Sequence, residues 1–305
     1  MSETGITPPK GLTAKLRRGP SEKPFLVSLS VIFGLYIALI LGMLLADAHY
    51  TSFADIGRAL ANPDIQHSTR LTLLCGLITT LLSIFVAVPT GYLLSRYSLP
   101  GKSFFDALLD IPIVLPPLVI GLSLLILFHQ VNIFGESIEE WCAIIFTRAY
   151  SFFMRREPDF PVGVSYKVPA IILAQFAVSC AFAVRVMRNT FDQMNPRAEQ
   201  VALTLGCNRS QAFWLIAVPN AWRGIIAAAA LSWARALGEF GPILIFAGTT
   251  RGRTEVLSTS VFLEISIGNL EGAVAVSMIM VAIALVVLFG VRLVDSRKGG
   301  LYDFS

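Results

Sequence analysis

Charge is what this sequence holds least of. Only 14% of its 305 residues are Asp, Glu, Lys or Arg, against about 25% in soluble domains. With 55% hydrophobic residues and a mean hydropathy of +0.69, the composition points to the membrane class. Cysteine is also scarce. Cys75 and Cys180 lie inside apolar runs, Cys142 and Cys207 fall in different loops, and no two share C-x-x-C spacing. A zinc site is therefore not expected, and the four read as structural thiols. The three histidines, His49, His67 and His129, are scattered at or beyond the ends of apolar runs. H-E-x-x-H and G-x-S-x-G are both missing. Gly101-Lys102-Ser103 has the ending of a phosphate-binding loop, but the earlier glycine that such a loop needs is Arg96. No catalytic residue, metal site or bound cofactor is expected. Work done by this chain must draw on a separate ATPase or an ion gradient. The net charge of +4 is small, and no nucleic-acid partner is expected.

What the sequence has in abundance is long apolar runs. A bilayer core about 30 Å thick needs around 20 apolar residues in a helix. Phe25 to Ala46 gives 22 residues without a charge, Leu71 to Ser95 gives 25, Ile111 to Phe128 gives 18 and Val168 to Val184 gives 17. Gly224 to Phe246 gives 23, interrupted by Arg235 and Glu239, and Gly272 to Val291 gives 20. These predict an all-α membrane protein with six transmembrane helices. The first run is longer than the 7–15 residues of a signal-peptide core, so it reads as an uncleaved anchor.

Lys and Arg set the expected orientation. Fifteen lie before span 1, in loops 2–3 and 4–5, and after span 6, while eight lie in the loops on the other side. Both termini are therefore expected in the cytoplasm. Residues 1–24 read as a disordered basic tail, 25–292 as the six-span membrane domain, and 293–305 as a second cytoplasmic tail. The external loop 129–167 is long. Its stretch Trp141 to Met154 is apolar but too short to span, which fits an interfacial helix. In the third span, Pro112, Pro116 and Pro117 each remove a backbone donor, so that helix should be kinked or broken. Such breaks are tolerated where the freed carbonyls face protein or a wet cavity. A transport pathway and a packing kink both fit.

The loop 195–219 has a readable local design. Asn195 is a good N-cap, Pro196 suits a first helical position, and Glu199 complements the helix dipole. Gly206 can end a helix in the left-handed conformation. Ser210 can cap a second short helix, and Pro219 is expected to stop it. Val201, Ala202 and Leu205 are expected to form one small apolar face, with Phe213, Trp214 and Ile216 adding bulk on the second helix. Such a helix suits either a membrane surface or a groove in a partner.

This segment resembles the EAA loop of ABC importer permeases, whose pattern is E-A-A, three residues, Gly, nine residues, Ile-x-Leu-Pro. Glu199-Gln200-Val201-Ala202 stands where the molybdate and sulfate branch has E-Q-A-A. Gly206 is in place, Ile216 is the tenth residue after it, and Val218-Pro219 stands for Leu-Pro. Val201 and Val218 depart from the pattern by small apolar exchanges. Ala234-Arg-Ala-Leu-Gly-Glu-Phe-Gly241, with Arg253-Thr-Glu-Val, is similar to the fifth span and following loop of molybdate, tungstate and sulfate permeases. The likeness covers about residues 66–292. It implies the type I importer (MetI-like) fold, and a loop 195–219 that couples to an ATPase through Glu199, Gln200, Ala202, Gly206, Ile216 and Pro219. It also implies a second copy of the chain, two ATPase subunits that hold ATP and Mg, and an external anion-binding protein. The expected location is a prokaryotic plasma or inner membrane. The implied substrate is an oxyanion, molybdate first, then sulfate, thiosulfate or tungstate.

Arg235 and Glu239 stand four residues apart inside the fifth span, so they share a helix face and can pair. Each charge costs roughly 2.5–3.5 kcal/mol at mid-bilayer on insertion scales, which argues against lipid exposure. A gate for an anion and a structural pair both fit. Gly238 and Gly241 allow close helix approach, and Pro242 permits a bend. Pro116 and Pro117 join these as pathway candidates. Two other functional classes stay open at this level: a gradient-driven transporter or channel, and a non-transporting scaffold that recruits a partner.

Overall fold

The computed structural model describes residues 23–98, 100–133, 135–154 and 163–298. The chain divides into two units, residues 1–52 and 53–305. The first holds α1 (Lys23–Tyr50), whose 28 residues extend roughly 42 Å at 1.5 Å per residue. It contains the first expected span. The expected tail up to residue 22 lies outside the described residues.

The second unit is built on two long helices, α3 (Pro63–Arg96) and α7 (Val168–Gln193), preceded by the short α2 (Phe53–Ala61). Asn62 starts α3: its Oδ1 accepts a hydrogen bond from Asp64 N at 3.0 Å, and Pro63 takes the position where no donor is needed. Small side chains let the two helices approach closely. Ala87, Val88 and Leu94 of α3 meet Ala183, Val184, Met187 and Phe191 of α7 in one buried cluster.

The third expected span is broken. Its halves, α4 (Lys102–Val114) and α5 (Pro117–Gln130), meet at 110°. Leu115 and Pro116 each precede a proline, and a following proline disfavours the helical region. Both are extended, with ψ of 140° and 133°. Pro112 remains inside α4 without ending it. The 14 residues of α5 reach only about 21 Å, so Ile111 to Phe128 is not one continuous helix.

The fifth expected span is interrupted as well. α11 (Trp222–Leu237) stops at Gly238, and α12 (Gly241–Phe246) begins three residues later. The two interruptions pack on each other. A Cβ on Gly241 would lie 2.9 Å from Pro117 Cβ, and one on Gly121 would lie 2.8 Å from Pro242 Cα. Only glycine permits that approach. Phe128 and Phe246 continue the contact, with ring centroids 5.2 Å apart.

Two further helices, α13 (Leu257–Ser266) and α14 (Leu270–Lys298), complete the unit. α14 passes Val291 and stays helical to Lys298, so the expected tail at 293 opens inside a helix. Among the described residues, four helices are long and apolar enough to cross a membrane. Two bent pairs, Lys102–Val114 with Pro117–Gln130 and Arg209–Asn220 with Trp222–Leu237, raise the number to as many as six. The loop 129–167 holds a small hairpin pairing Asn132–Ile133 with Glu136–Ser137, then α6 (Ile138–Met154). Glu139 ties α6 back to the chain, accepting from Val164 N at 2.7 Å and Ser165 Oγ at 3.0 Å. The four cysteines are free thiols.

Before α13, Glu255 is fully buried and neither carboxylate oxygen has an aligned hydrogen bond. Burial pushes its pKa above the ordinary carboxylate range, although Ser260 and Arg251 favour the charged form; Asp64 and Glu264 add to the upward push. An acid raised by folding stabilises fully below its unfolded pKa, and that stability is lost as pH rises through the folded value. The melting temperature in detergent should therefore fall from the ordinary carboxylate range upward, and Glu255→Gln should flatten that slope. Gly241→Val, which forces α5 and α12 apart, should cost about 1–3 kcal/mol of stability. A mutant that melts like the wild type would refute the close approach.

Candidate coupling and pathway sites

The loop 195–219 folds largely as its residues dictate. Asn195 Oδ1 accepts from Arg197 N at 3.0 Å, at the start of α8 (Arg197–Thr204). Gly206 ends the turn with φ of +95°, a left-handed conformation that a glycine adopts without strain. Cys207 N then donates to Ala202 O at 3.0 Å. The next cap is Asn208, not Ser210. Asn208 and Gln211 exchange two 2.8 Å hydrogen bonds in a capping box, which places Ser210 inside α9 (Arg209–Ala212). Pro219 does not stop the helix either. The chain continues through a π-helical turn (Phe213–Ala217) and α10 (Val218–Asn220), and bends by 71° into α11. Pro219 falls in the first turn of α10, where a missing donor is tolerated.

Val201, Ala202 and Leu205 do not share one face. Glu199 and Ala202, three residues apart, turn inward and are buried. Val201 and Leu205, four apart, turn outward, and Leu205 is 81% exposed. Gln200 is exposed too, while Ile216 is half-buried and Pro219 exposed. Trp214 and Leu215 add outward-facing apolar bulk, with Leu215 69% exposed. Phe213 instead packs inward on Tyr92, ring centroids 4.7 Å apart.

Glu199 is held by α3. Arg96 Nη2 and Nε lie 3.0 and 3.2 Å from its Oε1, and Tyr92 donates to its Oε2 at 2.8 Å. The same guanidinium donates to Phe191 O at 2.8 Å and Met194 O at 3.1 Å, at the end of α7. In the sequence, Arg96 is legible only as a loop charge that sets orientation. Its partner stands 103 residues away in the chain, so no local pattern encodes the contact.

At the other site, Arg235 Nη2 lies 3.2 Å from Glu239 Oε2, and its guanidinium stands 5.8 Å from the Phe182 ring centroid. Glu239 is buried, whereas Arg235 is half-buried. The interrupted backbone around them is covered by side chains. Gln175 Nε2 donates to Ala236 O at 3.0 Å, its Oε1 accepts from Thr79 Oγ1 at 3.0 Å, and Ser258 Oγ donates to Glu239 O at 2.8 Å. Gly241 touches Pro117 across the stacked breaks. Gly238 makes no such approach: a Cβ there would meet only Ala234 O, at 3.8 Å. Pro116 lies exposed at the α4–α5 corner. The structure thus joins Pro117 to Gly241 and Arg235 to Glu239. Gln175, Thr79 and Ser258, which complete this region, carry no sequence signal beyond being polar residues in or beside apolar runs.

Long helices, two interrupted helices packed break on break, and a short helix presented on a structured loop are the features of a membrane-spanning transport subunit of the ABC importer class, and the comparisons with known proteins bear that class out. The chain belongs to the family described as binding-protein-dependent transport system inner membrane component, whose model matches residues 87–300. It is 30% identical over 271 residues to the sulfate transport system permease protein CysT of Escherichia coli K12, covering 88% of this chain and 91% of that protein. It is 29% identical over 230 residues to the molybdenum transport system permease protein ModB of the same strain, covering 75% and 92%. A chain from the crystal structure of a bacterial alginate ABC transporter, in complex with alginate pentasaccharide-bound periplasmic protein, shares the fold. The TM-score is 0.66 at 15% identity, over 92% of this chain and 96% of that one.

Removing Arg235 leaves the buried Glu239 carboxylate without its counter-charge, at a cost of up to about 3–5 kcal/mol, while removing both is far milder. Arg235→Met should therefore lower the melting temperature sharply, and Arg235→Met with Glu239→Gln should recover most of the loss. Additive losses in that double-mutant cycle would show that the two do not act as a pair.

Proposed function

We propose that this chain forms the translocation pathway of an ATP-driven importer for a tetrahedral oxyanion, sulfate or molybdate, and works as a homodimer with two ATPase subunits and an external binding protein. The observation that carries this reading is the outward apolar surface of Val201, Leu205, Trp214 and Leu215. It stands on a loop with the EAA-like pattern, within a chain similar to sulfate and molybdenum permeases. Apolar groups so exposed on a short helix suit insertion into a groove of a partner. With both termini in the cytoplasm, as the Lys and Arg distribution favours, this loop faces the compartment that holds ATP.

Closure of the ATPase dimer moves the two coupling loops, and the membrane helices switch between packed arrangements. The breaks at Pro116–Pro117 and at 238–240 are the places where the bundle bends. Arg235 and Glu239 stand beside the second break and act as the gate. Substrate arrives from the binding protein, crosses where the breaks part, and leaves on the cytoplasmic side.

The test co-expresses the chain with its ATPase subunit. Leu205→Asp with Leu215→Asp should abolish co-purification of the ATPase while leaving membrane insertion intact. Uptake of labelled sulfate and molybdate into vesicles should stop on ATP depletion and survive an ionophore that collapses ion gradients. Uptake that follows the gradient instead would assign the chain to secondary transport.

A further inference from the structure

We propose that Arg96 is a positioning residue that makes the coupling helix α8 move as one body with α3 and α7. The inference rests on the importer reading above and adds the part that transmits the motion. Three chain segments end at one guanidinium. Arg96 stands in the last turn of α3, donates to Phe191 O and Met194 O at the end of α7, and makes two contacts to Glu199 in the first turn of α8. A cation is favoured at the C-terminal end of a helix and an anion at the N-terminal end, so the site suits both partners. Side-chain exposures of 14% for Arg96 and 9% for Glu199 show that little water competes. Tyr92 holds the second carboxylate oxygen and is itself wedged between Phe191 and Phe213, at 5.4 and 4.7 Å.

Without this clamp, the link from α7 to the start of α8 would be the non-helical residues 194–196, and a displacement could be absorbed there. With it, a displacement of α8 is delivered to α7. Further along α7, Phe182 lies under Arg235, and Gln175 holds the Ala236 carbonyl near the end of α11. The clamp uses the inward side of α8 only. Val201 and Leu205 stay free for a partner, so docking and transmission fall to different residues of one helix.

The test reconstitutes the full complex, with ATPase subunits and binding protein, in liposomes, and measures anion imported per ATP hydrolysed. Arg96→Gln should retain the ATPase subunit at wild-type stoichiometry and lower that ratio at least about tenfold. Arg96→Lys, which keeps the charge and loses the fork, should fall between. Glu199→Gln, which can still accept from Tyr92, should shift the ratio in the same direction. An unchanged ratio in Arg96→Gln, or loss of the ATPase subunit from it, would overturn the proposal. Should Arg96→Gln fail to insert, Glu199→Gln and Tyr92→Phe decide, and unchanged ratios in both refute the clamp. A wild-type chain that holds no ATPase would instead overturn the importer reading itself.

Discussion

Inside a bilayer no water is available to a freed backbone group, and the arrangement of this molecule follows from that constraint. Two of its apolar segments are interrupted, at 115–116 and at 238–240. Each interruption leaves carbonyls and amides without helical partners, at several kcal/mol apiece if they met lipid. The fold answers by stacking one break on the other through Gly121 and Gly241. Polar side chains add hydrogen bonds to carbonyls at the second break. Gln175 reaches Ala236 O, and Ser258 reaches Glu239 O. Residues that look out of place in a hydropathy plot are the ones that make broken helices tolerable.

The helix α7 links several of these contacts to the rest of the unit. It packs along α3, supplies Gln175 to the end of α11, sets Phe182 beside Arg235, and offers its last carbonyls to Arg96. Its packing against α3 is made of small residues over most of its length, so the two helices form a stiff pair. Interfaces so closely packed switch between discrete arrangements more readily than they deform.

Much of this is readable in the chain, because local chemistry determines it. Leu115-Pro116-Pro117 dictates a break wherever it occurs, and Asn195, Pro196 and Gly206 bound a short helix in any context. The failures share a cause. Ser210 yields to Asn208 because Gln211 completes a reciprocal box that Ser210 lacks. Polarity groups Ala202 with Val201 and Leu205, although their helical positions differ and Ala202 turns inward with Glu199. Glu199 reads as a charge that complements the helix dipole, and nothing near it in the chain announces its pairing with Arg96, 103 residues away. Contacts over such separations leave no mark in spacing or periodicity. Those residues stand in the sequence with only their charge to recommend them.

The charged pair beside the second break lives under the same shortage of water. Arg235 and Glu239 at 3.2 Å are neutral as a unit, and their mutual field falls off faster than that of a lone charge. A passing anion gains little from an arginine whose charge is already compensated. The positive potential of Arg235 becomes available only when the two separate. Glu239 is fixed by the backbone contact from Ser258, whereas Arg235 sits on α11, on the near side of the interruption. Bending at 238–240 would therefore draw Arg235 away from Glu239 and uncover its positive charge. While the two stay paired, they offer little net charge to an approaching anion.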